Sequence, residues 1–249
     1  MRTFRLIVAY DGTAYAGWQR QHNATGVQAL VEAALADIEG RRVVVHGAGR
    51  TDSGVHALGQ AASFEMAHSI PAKSLQRALN TALPRDIRVT EVGEASPGFH
   101  ARYSAVRKCY RYRIDRGEVA QPLENRYAWH VPGALDLGAV RRAGAAFVGR
   151  HDFAAFQTAA AQSAVTSTVR TIYALRVETE GQMLSIDVEG NGFLRHMVRT
   201  IVGTLVDVGF GRRRASDMAP LLASRSRQKA GPTAPARGLY LLRVEFRDP

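Results

Sequence analysis

The stretch Lys108-Cys109-Tyr110-Arg111-Tyr112-Arg113-Ile114 sets Tyr110, Tyr112 and Ile114 on one side of an extended chain and Cys109, Arg111 and Arg113 on the other. Side chains alternate between the two faces of a strand, so this pattern predicts a half-buried β-strand. Downstream, Asp136 stands where a residue capping a helix to Val148 would stand. Tyr173 to Thr179 and Met183 to Glu189 read as strands joined by a turn at Glu180-Gly181. Phe193, Met197, Ile201, Leu205 and Val208 mark the buried side of a long helix. A short helix near Met218 to Ala223 and a last strand, Leu239 to Phe246, complete the order β-α-β-β-α-β with one helix added.

Upstream of Lys108 the same order is already present. Phe4, Leu6, Val8 and Tyr10 alternate along a first strand. Val27, Leu30, Val31, Ala34, Leu35 and Ile38 follow the spacing of an amphipathic helix, which Gly40 stops. Val43 to His46 and Gln60 to Glu65 read as strands, Pro71 opens a second helix through Ala82, and Asp86 to Val92 reads as a strand. Two copies of a split β-α-β pattern predict an α+β protein made of two ferredoxin-like units, residues 1–105 and 106–249. The units either stay separate or fuse their sheets edge to edge. Fusion hides two edge strands, and the expected architecture is one extended antiparallel-rich sheet with helices on one face and a central catalytic cleft.

The 249 residues carry 33 Lys and Arg against 22 Asp and Glu, a formal net charge of +11. The pI near 10.5 is the electrostatic footprint of a nucleic-acid binder; a basic solvated surface is the plain alternative. A single cysteine excludes an intramolecular disulfide, and no Cys/His spacing suits zinc. No apolar run approaches the roughly 18 residues of a membrane span, and the N-terminus reads as a strand rather than a signal peptide. A cytoplasmic protein is expected. Residues 157–167 read as a loop without acidic groups, able to lie against phosphate or simply a surface loop.

The segment from His46 to Gln60, HGAGRTDSGVHALGQ, crowds four glycines around Arg50 and Asp52. Glycine allows sharp turns and close approach of a ligand. A carboxylate beside Arg stays ionised at neutral pH and can act as a nucleophile or base, whereas in a plain Gly-rich hairpin the Asp would only cap a turn. The Walker A pattern is absent, and no helical pattern follows as a dinucleotide-binding fingerprint requires.

GAGRTDSGVHALGQ resembles the catalytic motif of the TruA family of tRNA pseudouridine synthases. The opening YDGTAYAGWQRQ (Tyr10 to Gln21), the run FHARYSA (Phe99 to Ala105) followed by Tyr110-Arg111-Tyr112, the run GFLRHMVR (Gly192 to Arg199) and Gly238-Leu239-Tyr240-Leu241 are similar to that family's other motifs, in the same order. The resemblance implies an isomerase converting uridine to pseudouridine in the anticodon stem-loop of tRNA, at RNA positions 38, 39 and 40. It implies a homodimer that uses neither metal nor organic cofactor. It places the catalytic aspartate at Asp52, the uracil-stacking tyrosine at Tyr110, the base-flipping arginine at Arg50, and the arginine that pairs with the aspartate at Arg199. Arg102 and Arg195 are expected to contact RNA, His100 and His196 to be structural, and His56 to be hydrogen-bonded structure.

These residue types suit the chemistry. Breaking C1′–N1, turning the base and rejoining through C5 needs one carboxylate, adding covalently or assisting cleavage of the glycosidic bond. The uridine must leave the stack, a cation can fill the vacated space, and an aromatic ring can hold the extruded base. Tyr112, by contrast, reads as packing. Two other functions fit the sequence less well. A non-catalytic RNA-binding protein with two RRM-like sheets would carry an RNP1-type aromatic run, which is missing. An Asp-nucleophile phosphate-ester hydrolase would need a magnesium site, and no carboxylate cluster surrounds Asp52 in the sequence.

Overall fold

The computed structural model describes residues 1–158 and 167–247. Most of the loop expected at 157–167 lies outside the described residues. The chain forms two compact units, Met1–Val106 with Tyr240–Pro249, and Arg107–Leu239. It is a mixed α+β fold whose strand pairs are mostly antiparallel.

In the first unit, strand β1 (Arg2–Tyr10) runs antiparallel to β3 (His56–Met66) and to β4 (Ile87–Ala95). The two-residue strand β2 (His46–Gly47) also pairs with β3. The last strand, β10 (Leu239–Phe246), pairs with β3 in parallel through Tyr240–His56 and Leu241–Ala57. Phe4, Leu6, Val8 and Tyr10 of β1 are all buried, as their alternation predicts. Phe4 lies opposite Phe64, with ring centroids 5.5 Å apart, and this pair pins the register on the buried face.

Helix α1 (Val27–Glu39) ends at Gly40, whose φ of 74° is the left-handed conformation that stops a helix cheaply only at glycine. Its buried residues are Val27, Gln28, Val31, Glu32, Ala34 and Leu35. The buried face is therefore turned toward Gln28 and Glu32, away from the expected Leu30 and Ile38. Helix α2 (Ala72–Ala82) has Pro71 at its N-cap and buries Leu75 and Leu79.

The strand expected at Val43–His46 is reduced to β2. Val43 and Val45 are buried, but Val45 makes no ladder: its N–H donates to Glu32 Oε1 (3.1 Å) and its carbonyl accepts from Gln28 Nε2 (2.8 Å). Side chains of α1 have taken the backbone groups that a partner strand would have used.

In the second unit, β5 (Ala105–Asp115), β9 (Met183–Gly190), β8 (Val169–Glu180) and β7 (Gly149–Asp152) follow one another across an antiparallel sheet. The short β6 (Trp129–His130) adds to β5 in parallel. Arg111 on β5 faces Asp187 on β9, and the guanidinium meets both carboxylate oxygens, at 2.7 and 2.8 Å. A bidentate cross-strand pair of this kind fixes register as well as charge. Tyr112 is fully buried and its hydroxyl donates to the Pro235 carbonyl at 2.7 Å, so it is a packing residue.

Helix α3 (Leu137–Ala145) starts where expected, with Asp136 Oδ1 accepting from Ala139 N at 2.9 Å. It ends short of Val148, and β7 follows, an edge strand too short and polar to show in the pattern. Helix α4 (Met197–Gly209) and helix α5 (Met218–Ser224) complete the unit. No helix among the described residues is long and apolar enough to cross a membrane.

Candidate active site

The loop that carries Asp52 joins β2 to β3 and is clamped on both sides. From its own hairpin, Ala48 N donates to Ala61 O (2.8 Å), and the fully buried Gln60 side chain donates to Gly49 O (2.9 Å). From the segment between β1 and α1, Trp18 N donates to Thr51 O (3.2 Å), and Tyr15 O accepts from Gly54 N (3.3 Å) and Ser53 Oγ (3.2 Å). The hydroxyls of Tyr10 and Thr51 meet at 2.8 Å, both buried. Burial pushes the Tyr10 phenol well above its usual pKa, so it stays protonated and keeps this bond.

Trp18, almost wholly buried, packs its ring against Tyr10 at 6.1 Å. Tyr15 adds a second tie, its hydroxyl donating to Asp86 Oδ1 at 2.7 Å. The result is a backbone fixed through the buried Thr51, with Asp52 immediately after it, half-buried at the surface where the loop emerges. Val55 N donates to the Asp52 carbonyl at 3.1 Å and closes the turn beyond it. A carboxylate on an over-determined backbone is what nucleophilic or base catalysis needs, because its position is settled before a ligand arrives.

Arg50 precedes it on the same loop, exposed, with Nε donating to Gln19 Oε1 at 3.1 Å. Gln19 Nε2 donates in turn to Gln28 Oε1 (2.7 Å), which also accepts from Arg20 N (2.9 Å). Beneath Gln28 lies the buried Glu32, whose Oε2 accepts an ion pair from Arg20 Nη2 at 2.9 Å. Arg50 is therefore braced through two amides onto the buried face of α1. Sequence reasoning missed Gln19, Gln28 and Glu32; Gln19 lay within the quoted YDGTAYAGWQRQ segment, but spacing alone did not link it to Arg50.

His56 is buried at the start of β3, its ring against Tyr240 at 4.9 Å and its Nδ1 accepting from Gly12 N at 3.1 Å. Arg102 is exposed, with its guanidinium carbon 5.7 Å from the centre of the Tyr103 ring.

Tyr110, Arg195 and Arg199 belong to the second unit. Tyr110 is buried on β5 opposite Val188, with its ring edge-on to Phe193 at 5.2 Å. Arg199 sits in the first turns of α4, and its Nε donates to the Ala234 carbonyl at 2.7 Å, while Ala234 N donates back to Arg199 O at 3.1 Å. Arg195 lies outside the helix that carries Arg199. His196 adopts φ 65° and α4 begins only at Met197, because a left-handed residue cannot continue a right-handed helix. Arg195 is exposed in the preceding turn, and His196 is tied through Nδ1 to the Thr158 hydroxyl at 2.6 Å. Among the described residues, no group of three or more His, Cys, Asp and Glu side chains is placed to hold a metal ion.

A family model described as tRNA pseudouridine synthase matches residues 6–104 and 143–247. Of the curated relatives, the tRNA pseudouridine synthase A of Geobacter sulfurreducens is 47% identical over 246 residues, 99% of this chain and 100% of that one. The tRNA pseudouridine synthase A of Citrifermentans bemidjiense is 45% identical over 249 residues, 100% of this chain and 99% of that one. Matched by that model over most of its length and 45–47% identical to these enzymes end to end, the chain belongs to the tRNA pseudouridine synthase family.

Proposed function

We propose that this chain isomerises uridine to pseudouridine in the anticodon stem-loop of tRNA, at RNA positions 38, 39 and 40, with Asp52 as the nucleophile. The observation that carries this reading is the similarity to tRNA pseudouridine synthases over the whole chain, joined to a carboxylate carried on the clamped backbone of a Gly-rich loop. In the proposed reaction the C1′–N1 bond breaks, the uracil turns, and C5 bonds to C1′. C5 gives up its proton and N1 gains one, so no electrons are exchanged and no redox group is needed. Asp52 adds to the substrate or assists departure of the base and holds it until it rejoins.

The target uridine must first be extruded. Arg50, braced by Gln19, enters the space it leaves. Tyr110 stacks on the extruded base, Arg199 pairs with Asp52, and Arg102 and Arg195 contact phosphate. The protein acts as a cytoplasmic homodimer. The test is to incubate the purified chain with tRNA transcripts and read them by carbodiimide-dependent primer extension. Stops are expected at positions 38 to 40 when uridine stands there. Binding without any stop would favour an RNA-binding protein over an enzyme.

A further inference from the structure

Tyr103 is 77% exposed, and such a ring contributes little to folding from where it stands. Yet the backbone that presents it is fixed. Ala101 is fully buried, and its N–H donates to Ser63 Oγ at 3.0 Å. Tyr103 N and Ser104 N both donate to the His100 carbonyl, at 3.0 and 2.9 Å. Behind the ring, His100 lies 4.4 Å away at an interplanar angle of 35°, and His46 lies 4.5 Å beyond at 33°. Arg102 supplies a cation beside the same ring.

Burial first, then the neighbouring His46 and Arg102, holds the His100 pKa below its usual value, so at neutral pH the middle ring is uncharged. Its Nδ1 is then free to accept from Arg102 N, at 3.2 Å. The cluster also sits beside the Asp52 loop: His46 opens β2 directly before that loop, and Ala48 and Ala101 share one buried cluster with Ala61.

We propose that Tyr103, backed by His100 and His46, is a stacking platform for an unpaired base of the tRNA, a second contact distinct from the uridine that reacts. A flat ring with one face in water, a neutral ring behind it and a cation alongside suits a base and its phosphate. Stacking of this kind tolerates any base, because every base has a π-face, so the platform would hold tRNAs of differing loop sequence. It rests on the reading of this chain as a tRNA-modifying enzyme.

The test measures tRNA affinity of the full chain and of Tyr103→Ala, Tyr103→Phe and Tyr103→Trp, at several salt concentrations, with sedimentation of each. Tyr103→Ala is expected to weaken binding about five- to hundredfold, the range of one base–aromatic stack, with the salt slope unchanged. Tyr103→Phe should bind within about twofold of the parent, since the ring and not the hydroxyl acts. Tyr103→Trp should show tryptophan emission quenched by tRNA beyond the parent's response. Unchanged affinity in Tyr103→Ala, or an altered oligomeric state, which would make the ring a contact between copies, would overturn the platform. If the parent itself leaves no pseudouridine in tRNA, it is the proposed function that fails.

Discussion

Gly17 has a φ of 89°, and a Cβ there would stand 2.3 Å from the Thr51 carbonyl oxygen, which accepts the Trp18 N–H. Gly17→Ala therefore strains the backbone and pushes the Asp52 loop off its clamp at once. A loss of about 1–3 kcal/mol in denaturant unfolding is expected, together with a fall in turnover. Arg50 offers a finer test. If its guanidinium acts on the extruded base, Gln19→Ala should slow single-turnover conversion in the same direction as Arg50→Ala, with tRNA affinity nearly unchanged. In the Arg50→Ala background, Gln19→Ala should then add almost nothing, because the two act as one unit. Additive effects of the two substitutions would break the link. Asp52 and Arg50 could be singled out from glycine crowding and charge, and assigned roles through resemblance. Gln19 could not, because its part depends on a hydrogen bond between residues 31 apart in the chain.

Elements were legible where one periodicity governed them. The alternation of β1, that of β5 from Tyr110 to Ile114, and the Leu75 and Leu79 stripe of α2 agree with their burial, although Cys109 on the other face of β5 is buried too. The pattern failed where polar side chains did structural work. Gln28 and Glu32 lie on the buried face of α1 because they bind the backbone of Val45, and the same bonds dissolve the strand expected there. At the other end of α1, Glu39 accepts from Ala67 N (2.8 Å) and His68 N (3.0 Å) and pairs with Arg41. The backbone bonds, chiefly that from Ala67, hold its carboxyl at about 2, below the ordinary 4.5. The folded carboxyl thus binds its proton less readily than the unfolded one, so its contribution is complete above pH 4.5 and is lost as pH falls toward 2. Glu39→Gln should be less stable than the parent at pH 7, and the difference should shrink below pH 4 in thermal melts. A constant gap would show that the charge of Glu39 is not the cause.

At the scale of the whole molecule, the +11 excess has a pairing pattern. Many carboxylates are engaged by arginine: Glu32 by Arg20, Asp187 by Arg111, Glu189 by Arg107, Asp207 by Arg212 and Arg213, and Asp152 by Arg225. These acidic side chains are engaged within the fold, and the net charge of the chain stays positive. tRNA affinity should therefore fall steeply with salt, log Kd rising linearly with log salt concentration as counterions are released. Arg102→Ala should make that slope shallower by about one if the side chain meets a phosphate. The α+β class and the strand–helix order of the first unit were readable from periodicity, whereas the short strands β6 and β7 were not. The parallel pairing of the last strand with β3 was not, since the two segments are far apart in sequence and no local pattern records which strand receives the other. All of this serves one carboxylate. The direct measurement is pseudouridine formed in tRNA by Asp52→Ala beside the parent chain, with tRNA affinity and thermal stability of both recorded. No detectable pseudouridine, with affinity and stability near the parent's, is expected; turnover retained in Asp52→Ala would contradict the assignment of Asp52 as nucleophile.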